Sequence, residues 1–329
     1  SMSEYAIGID FGSLSGRALL INVKTGEELA LSVYDYPHGV MDRCLPCGKK
    51  LEHDWALQHP QDFLDVIFNA VPDVIKKAGV CPEDIIGIGT DFTASTIMPV
   101  ANDGTPLCFL SEYKSEPHAY VKMWKHHAAQ DKANLMSDAA KDMKEEWVHD
   151  YGGKVSSEWA IPKIWQLLDE APEVYGDMYK FVEAADWVVW MMTGVLKFNY
   201  CSAGYKALWN KRRGYPSKNY FRCLDPRLEN VMEDKFGGQV TSIGTKAGEI
   251  TQEMAERTGL LPRTPVSVGN VDAHVCVPAA GIYEPNKMLA IIGTSTCQMM
   301  MADKEIQVPG ICGIVEDGIM PGYFGYEAG

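Results

Sequence analysis

No apolar run in this 329-residue sequence approaches the roughly 20 residues that span a bilayer. Positive charge is scarce as well: 30 Lys and Arg against 44 Asp and Glu leave a net charge of −14. Such a surface repels nucleic acid and anionic membranes, so an anionic ligand must find a local positive pocket. The nine cysteines are odd in number and scattered, and several sit in apolar segments (Cys108, Cys276, Cys297). That pattern is no disulfide framework and reads as the reduced thiols of a cytoplasmic protein. Cys44-Leu45-Pro46-Cys47 is the one CxxC, with His38 and His53 in reach. Without a second CxxC it lacks the ligand spacing of a zinc site. No repeat of solenoid period occurs. What is present, 46% hydrophobic and 22% charged residues, is the composition of a globular protein with one large domain or about two.

Periodicity describes an α/β chain. Residues 18–23 and 28–34, joined across Thr25-Gly26, alternate as hairpin strands, and residues 35–60 read as a long loop. Phe63, Val66, Ile67, Ala70, Val71, Val74 and Ile75 form the stripe of a core-facing helix. Residues 85–89 are a short buried strand that enters a polar cluster, 90–96. Residues 97–100 and 106–109 flank Asp103-Gly104, a hairpin signal. A helical pattern runs from His118 to about Lys144, and Pro162 suits the first turn of a helix ending near Leu168. Further on, 181–192 is an apolar segment closed by Thr193-Gly194, and 226–235 is helical. Strands are expected at 266–269 and 288–292, with a helix at 273–280 between them.

The most informative stretch is Ile7-Gly8-Ile9-Asp10-Phe11-Gly12-Ser13-Leu14-Ser15-Gly16-Arg17. An apolar strand ends in an aspartate, a glycine and a hydroxyl-rich turn, and a cation follows. Backbone N–H groups and Arg17 suit a nucleotide's phosphates, and Asp10 suits their magnesium ion or its water. The turn is neither a P-loop nor a dinucleotide fingerprint, whose glycine spacings differ. A tight glycine turn over a buried aspartate is the bland alternative. Residues Ile291-Ile292-Gly293-Thr294-Ser295-Thr296 repeat the theme late in the chain. In Gly269-Asn270-Val271-Asp272-Ala273-His274 a carboxylate stands where a buried strand gives way to a helix start. On pattern alone Asp272 equally suits a helix cap, and Lys206 a solvated loop. His126-His127 are adjacent on a helix pattern and point apart, which favours packing over metal binding.

Two such turns, in this order, resemble the paired phosphate motifs of actin-like ATPases. Together with Ala184-Ala185-Asp186-Trp187, Met192-Thr193-Gly194 and Ile161-Pro162-Lys163-Ile164, they resemble the N-terminal half of FGGY-family carbohydrate kinases. The segments GTDFTASTIMP (89–99), EPHAYVKMWKHHAAQ (116–130), WALQHP (55–60), GYKALW (204–209) and GYFGYEAG (322–329) are similar to the L-ribulokinase branch of that family. The resemblance covers the chain from Tyr5 onward.

This resemblance implies an actin-like ATPase (ribonuclease H-like) fold. A first domain would occupy 4–281, and 282–329 would be the start of a second, nucleotide-binding domain whose adenine pocket is not represented. It implies ATP-dependent phosphorylation of L-ribulose at its 5-hydroxyl in L-arabinose catabolism, with ATP and Mg2+ as cofactors. Asp272 resembles the catalytic base. Ala94, Lys206 and Glu327 resemble sugar-contacting positions, Asp10, Gly12, Ser13 and Arg17 the first phosphate motif, and Gly293, Thr294 and Ser295 the second. The implied partners are a pentulose and MgATP, with neither nucleic acid nor membrane; the residues do not decide whether the protein is a homodimer. Alternatives are a kinase for xylulose or D-ribulose, a non-catalytic sugar-binding fragment, and an actin-fold ATPase without a sugar pocket.

Overall fold

A computed structural model describes residues 3–199, 202–203, 207–210, 212–241 and 245–271, with backbone pairing alone at 315–316 and 324–325. The chain opens with three antiparallel strands, β1 (Tyr5–Phe11), β2 (Ser15–Asn22) and β3 (Glu28–Asp35). A long connection then holds β4 (Leu57–Gln58) and leads into α1 (Pro60–Ala78), β5 (Ile85–Phe92), β6 (Ile97–Val100) and β7 (Val121–Lys122). Next come α2 (Gln130–Asp142), α3 (Ala160–Glu170), α4 (Pro172–Asp177), β8 (Lys180–Glu183), α5 (Ala184–Thr193) and β9 (Phe198–Asn199). The strands β10 (Val240–Thr241), β11 (Lys246–Glu249), β12 (Pro265–Ser267) and β13 (Asn270–Val271) complete the part relevant to the site.

Two sheets organise these elements. The larger has the order β11-β12-β5-β1-β2-β3, with β13 also on β5. Here β5 runs parallel to β1, β12 and β13, whereas the β1-β2-β3 meander is antiparallel. The smaller has the order β4-β7-β6-β8 and is antiparallel throughout. It is the wall between two apolar cores. Met98 and Val100 of β6 and Val182 of β8 join the core of the large sheet, α1 and α5. Their neighbours Ile97 and Phe181 join a second core with α2, α3 and the helix Lys218–Leu224. Strand alternation sends successive side chains to opposite faces, so one short sheet serves both cores.

The helix expected at 63–75 is α1. His59 Nδ1 accepts from Gln61 N (3.2 Å), Pro60 occupies the first turn, and Gly79 closes the far end in the left-handed region (φ 65°). Phe63, Val66, Ile67, Ala70, Val71 and Val74 are all buried. The Asp103-Gly104 turn also forms, with Gly104 at φ 87° and Thr105 N donating to Asp103 Oδ1 (3.0 Å). Beyond it, 106–109 makes only an isolated bridge from Pro106 to Val100, then a 3-10 turn over Leu107–Phe109. Proline has no N–H to extend a ladder.

The helical expectation from His118 is corrected more substantially. Pro117–Ala119 is a 3-10 turn, Val121–Lys122 is a strand between β4 and β6, and helix begins only at Gln130. Residues 118–125 contact neighbours on several sides, which mimics a helical period; sheet pairing overrides it. Segment 226–235 holds a 3-10 turn, Pro226–Leu228, and a π turn, Met232–Phe236. The strand and helix expected over 273–292 lie outside the described residues. No described helix is long and apolar enough to cross a membrane.

Gly16 allows α1 to lie against β2, because a Cβ there would approach Val66 Cγ2 and Cγ1 to 2.6 and 2.7 Å. Gly16→Ala should therefore cost about 1–3 kcal/mol through overpacking. Chemical denaturation is the check, and an unchanged midpoint would contradict this contact.

Candidate active site

The site begins with strand register. Asp10 of β1 pairs with Arg17 on β2 and with Asp91 on β5, and Asp91 pairs in turn with Asn270 on β13. Side chains of register partners share a face, so Asp10, Arg17, Asp91 and Asn270 form one row across four strands. On the opposite face Phe11 stacks on Phe92 (4.8 Å between centroids), and Phe63 of α1 meets Phe92 edge-on (4.8 Å). These aromatic pegs fix the register by hydrophobic burial, since a one-residue slip would exchange the phenyl rings with the carboxylates.

The Gly12–Ser15 turn is held from several directions. Gly12 N donates to Ser15 O (2.8 Å), and a Cβ on Gly12 would lie 3.0 Å from that same oxygen. Tyr36 OH donates to Gly12 O (2.9 Å). Gln58 Nε2 of the small sheet donates to Ser13 O (2.9 Å), and Trp124 Nε1, two residues beyond β7, donates to Ser13 Oγ (3.0 Å). Arg17 Nε donates to Asp10 Oδ2 (3.1 Å). Burial raises the Asp10 pKa above its ordinary value, and the charge and hydrogen bond of Arg17 oppose that shift.

A second turn stands directly beside the first, because Thr93 N donates to Phe11 O (3.2 Å). Thr93 Oγ1 and Thr96 Oγ1 share a hydrogen bond (3.1 Å), and Thr96 Oγ1 donates to Ala94 O (3.2 Å). Thr96 N donates to Glu183 Oε2 at the end of β8 (3.2 Å). Ser95 adopts φ 54°, an uncommon left-handed conformation for a residue with a side chain. The oxygens Thr90 Oγ1, Ser95 Oγ, Gln58 Oε1 and Asn270 Oδ1 are buried with no hydrogen-bond partner among the described residues. Each such group needs a water, an ion or a ligand to satisfy it.

Residues 5–277 match the N-terminal domain of the FGGY family of carbohydrate kinases. The chain belongs to that family. Among curated relatives, the ribulokinase of Anoxybacillus flavithermus is 55% identical over 327 residues, covering 99% of this chain and 58% of that protein. That of Halalkalibacterium halodurans is 53% identical over 328 residues, again covering 58% of its length. The ribulokinase of Staphylococcus aureus strain Newman is 38% identical over 326 residues. The chain thus spans somewhat under three-fifths of these relatives. Among solved structures, a xylulose kinase from Rhodospirillum rubrum superposes with a TM-score of 0.66 at 17% identity, over 86% of this chain and 52% of that one. A gluconate kinase from Lactobacillus acidophilus gives 0.65 at 15%, over 84% and 49%. The fold is that of the FGGY sugar kinases, the actin-like ATPase fold.

Among the candidate residues, Asp10, Gly12, Ser13, Arg17 and Ala94 come together around two adjoining turns. Asp272, Lys206, Glu327, Gly293, Thr294 and Ser295 lie outside the described residues. Val271, the residue before Asp272, pairs with Phe92, whose other partner is Phe11. Asp91 and Asn270 are the chemistry-bearing residues that reading by motif passed over. A signal for Asp91 exists: Gly8-Ile9-Asp10-Phe11 and Gly89-Thr90-Asp91-Phe92 repeat G-x-D-F, residue against residue, in the observed register.

The remaining candidates resolve into structure. His126 is fully buried between Ala56 N and Gln166 Oε1, while His127 Nδ1 meets Ser157 Oγ (3.3 Å). Cys44 and Cys47 are exposed free thiols, and His38 pairs with Asp62 (2.6 Å). Among the described residues, no group of three or more His, Cys, Asp or Glu side chains is placed to hold a metal.

Asp186, in the first turn of α5, anchors the chain just past β9. Its Oδ1 accepts from Asn199 N (3.1 Å) and Asn199 Nδ2 (2.7 Å), and Asn199 Oδ1 accepts from Ser202 N (2.8 Å). Burial pushes the Asp186 carboxyl up to about 8, against the pull of the Asn199 bonds. The folded protein therefore keeps a proton that the unfolded chain releases above about 4. This contribution to stability is full below pH 4 and is lost as pH rises through about 8. Asp186→Asn keeps the acceptor without the charge, so its stability relative to the parent should climb between pH 5 and 8. Denaturant midpoints that stay parallel across that range would exclude the assignment.

Proposed function

We propose that this chain is the sugar-binding N-terminal part of a cytoplasmic, ATP-dependent kinase that phosphorylates L-ribulose at its 5-hydroxyl. Residues 4–281 form the first domain of this reading and 282–329 begin the nucleotide-binding domain. The observation that carries it is the adjacency of the two turns: a phosphate-type turn at Asp10–Arg17 is bonded directly to the turn bearing Ala94. Similarity to ribulokinases along nearly the whole chain supports the choice of substrate.

The residues at hand fit the expected group. The turn at Gly12 is a cradle that a Cβ would crowd, and Arg17 supplies a cation for negative oxygens. Gly12, Ser13 and Arg17 would hold ATP phosphates, with Gly293, Thr294 and Ser295 as the second motif, and Asp10 would hold Mg2+ or its water. Bound MgATP supplies the transferable phosphoryl group and charge neutralisation. Ala94, Lys206 and Glu327 orient a neutral, hydroxyl-rich pentulose. Asp272 orients the 5-hydroxyl and accepts its proton as the oxygen attacks, because phosphoryl transfer depends chiefly on positioning and on charge neutralisation.

A second reading is a sugar-binding module without turnover of its own. Calorimetry on the 329 residues tests the module: binding of L-ribulose with feeble MgATP affinity is expected of it, and tight MgATP binding contradicts it. A coupled ADP-release assay on the protein carrying this sequence, with a panel of pentuloses, tests the substrate. Strong turnover of xylulose or D-ribulose with none of L-ribulose would overturn that assignment. Asp272→Asn should lower kcat by about 100-fold or more with sugar affinity retained; near-parental turnover would remove Asp272 as the base.

A further inference from the structure

Beside the wall between the two cores lies a cation that the chemistry above leaves unused. Lys163, in the first turn of α3, is fully buried (0% exposed). Its Nζ donates to Ser95 O (2.7 Å) and to Met123 O (3.2 Å). These carbonyls belong to segments from opposite sides of the site. Ser95 lies in the turn beside Ala94, and Met123 precedes Trp124, whose indole reaches Ser13 of the phosphate-type turn.

An apolar side chain of similar volume would fill this space without the cost of desolvating an ammonium group, which is large unless hydrogen bonds offset it. What an apolar residue would not do is grip two carbonyls at once. One of them belongs to Ser95, held at φ 54°. Backbone in that region persists only when its surroundings over-determine it.

We propose that Lys163 is a positioning residue for sugar phosphorylation: its ammonium clamps the 93–96 turn to the Met123–Trp124 segment, setting the sugar-side turn in place relative to the phosphate-side turn. It takes no part in bond making or breaking. The proposal rests on the reading of Ala94 as a sugar contact given under Proposed function.

Two readouts on Lys163→Met test it. In hydrogen–deuterium exchange on the chain, amides at 93–96 and 123–124 should exchange about tenfold faster, with β1 to β3 unchanged. In the kinase assay, KM for L-ribulose should rise about tenfold or more while KM for ATP stays within about twofold. Lys163→Gln, with an amide donor but no charge, gives the same pattern more weakly and serves if the methionine variant does not fold. A lower melting temperature with unaltered local exchange and unaltered sugar KM would overturn the proposal and reduce Lys163 to packing. Faster local exchange in a protein whose parent does not turn over L-ribulose would instead refute the substrate reading and leave the clamp standing.

Discussion

The parallel pairing of β5 with β1 and β13 is the constraint on which everything else depends. It sets Asp10, Asp91 and Asn270 in one row and Phe11, Phe92 and Val271 in the next. The first row is polar and ends at the turns; the second is apolar and lies against α1. Because strand side chains alternate strictly, each row enforces the other. The aromatic pegs oppose any one-residue slip, which would carry the phenyl rings to the polar face and the carboxylates into the apolar core. Glycines at register partners Gly8 and Gly89 keep this row small on the polar side just before the carboxylates.

The small sheet is what turns a strand-end cluster into a site with two sides. Gln58 extends from it to Ser13, as does Trp124 from just beyond β7, Glu183 extends from β8 to Thr96, and Lys163 reaches through from α3. It also explains an unusual concentration of buried cationic and imidazole groups. Lys122 of β7 is fully buried, its Nζ 5.6 Å above the Trp55 ring, and burial with the nearby Lys163 charge lowers its pKa to about 7. Burial and the Lys122 charge likewise hold His118 down to about 4. Charged groups are tolerated there because each carbonyl-rich turn of an irregular wall offers acceptors that a regular sheet would spend on its own ladder.

Legibility followed the range of the interactions concerned. The α1 stripe, the Gly194 cap and the Asp103-Gly104 turn are local, and each is readable from residues three or four apart. The 118–125 segment was misread because Lys122 is buried by strands from residues 57 and 97, which no local window contains. Asp10, Gly12, Ser13 and Arg17 were recognisable as one motif, being contiguous. Asp91 was hidden only in the sense that its G-x-D-F echo of Asp10 becomes meaningful once the two strands are known to be neighbours.

By itself, then, the sequence determined the α/β character, the glycine and hydroxyl turn that follows β1 and the membership of a sugar-kinase family, because these reside in short motifs and local periodicity. Only the tertiary structure decided which polar groups meet. It placed the Ala94 turn against the Asp10 turn, lined Asp91 and Asn270 up with Asp10, and buried Lys163 between two carbonyls 28 positions apart in the chain. The physical reason is that a parallel sheet joins residues distant in sequence through backbone register, and register is chosen by burial over the whole core rather than by any single segment.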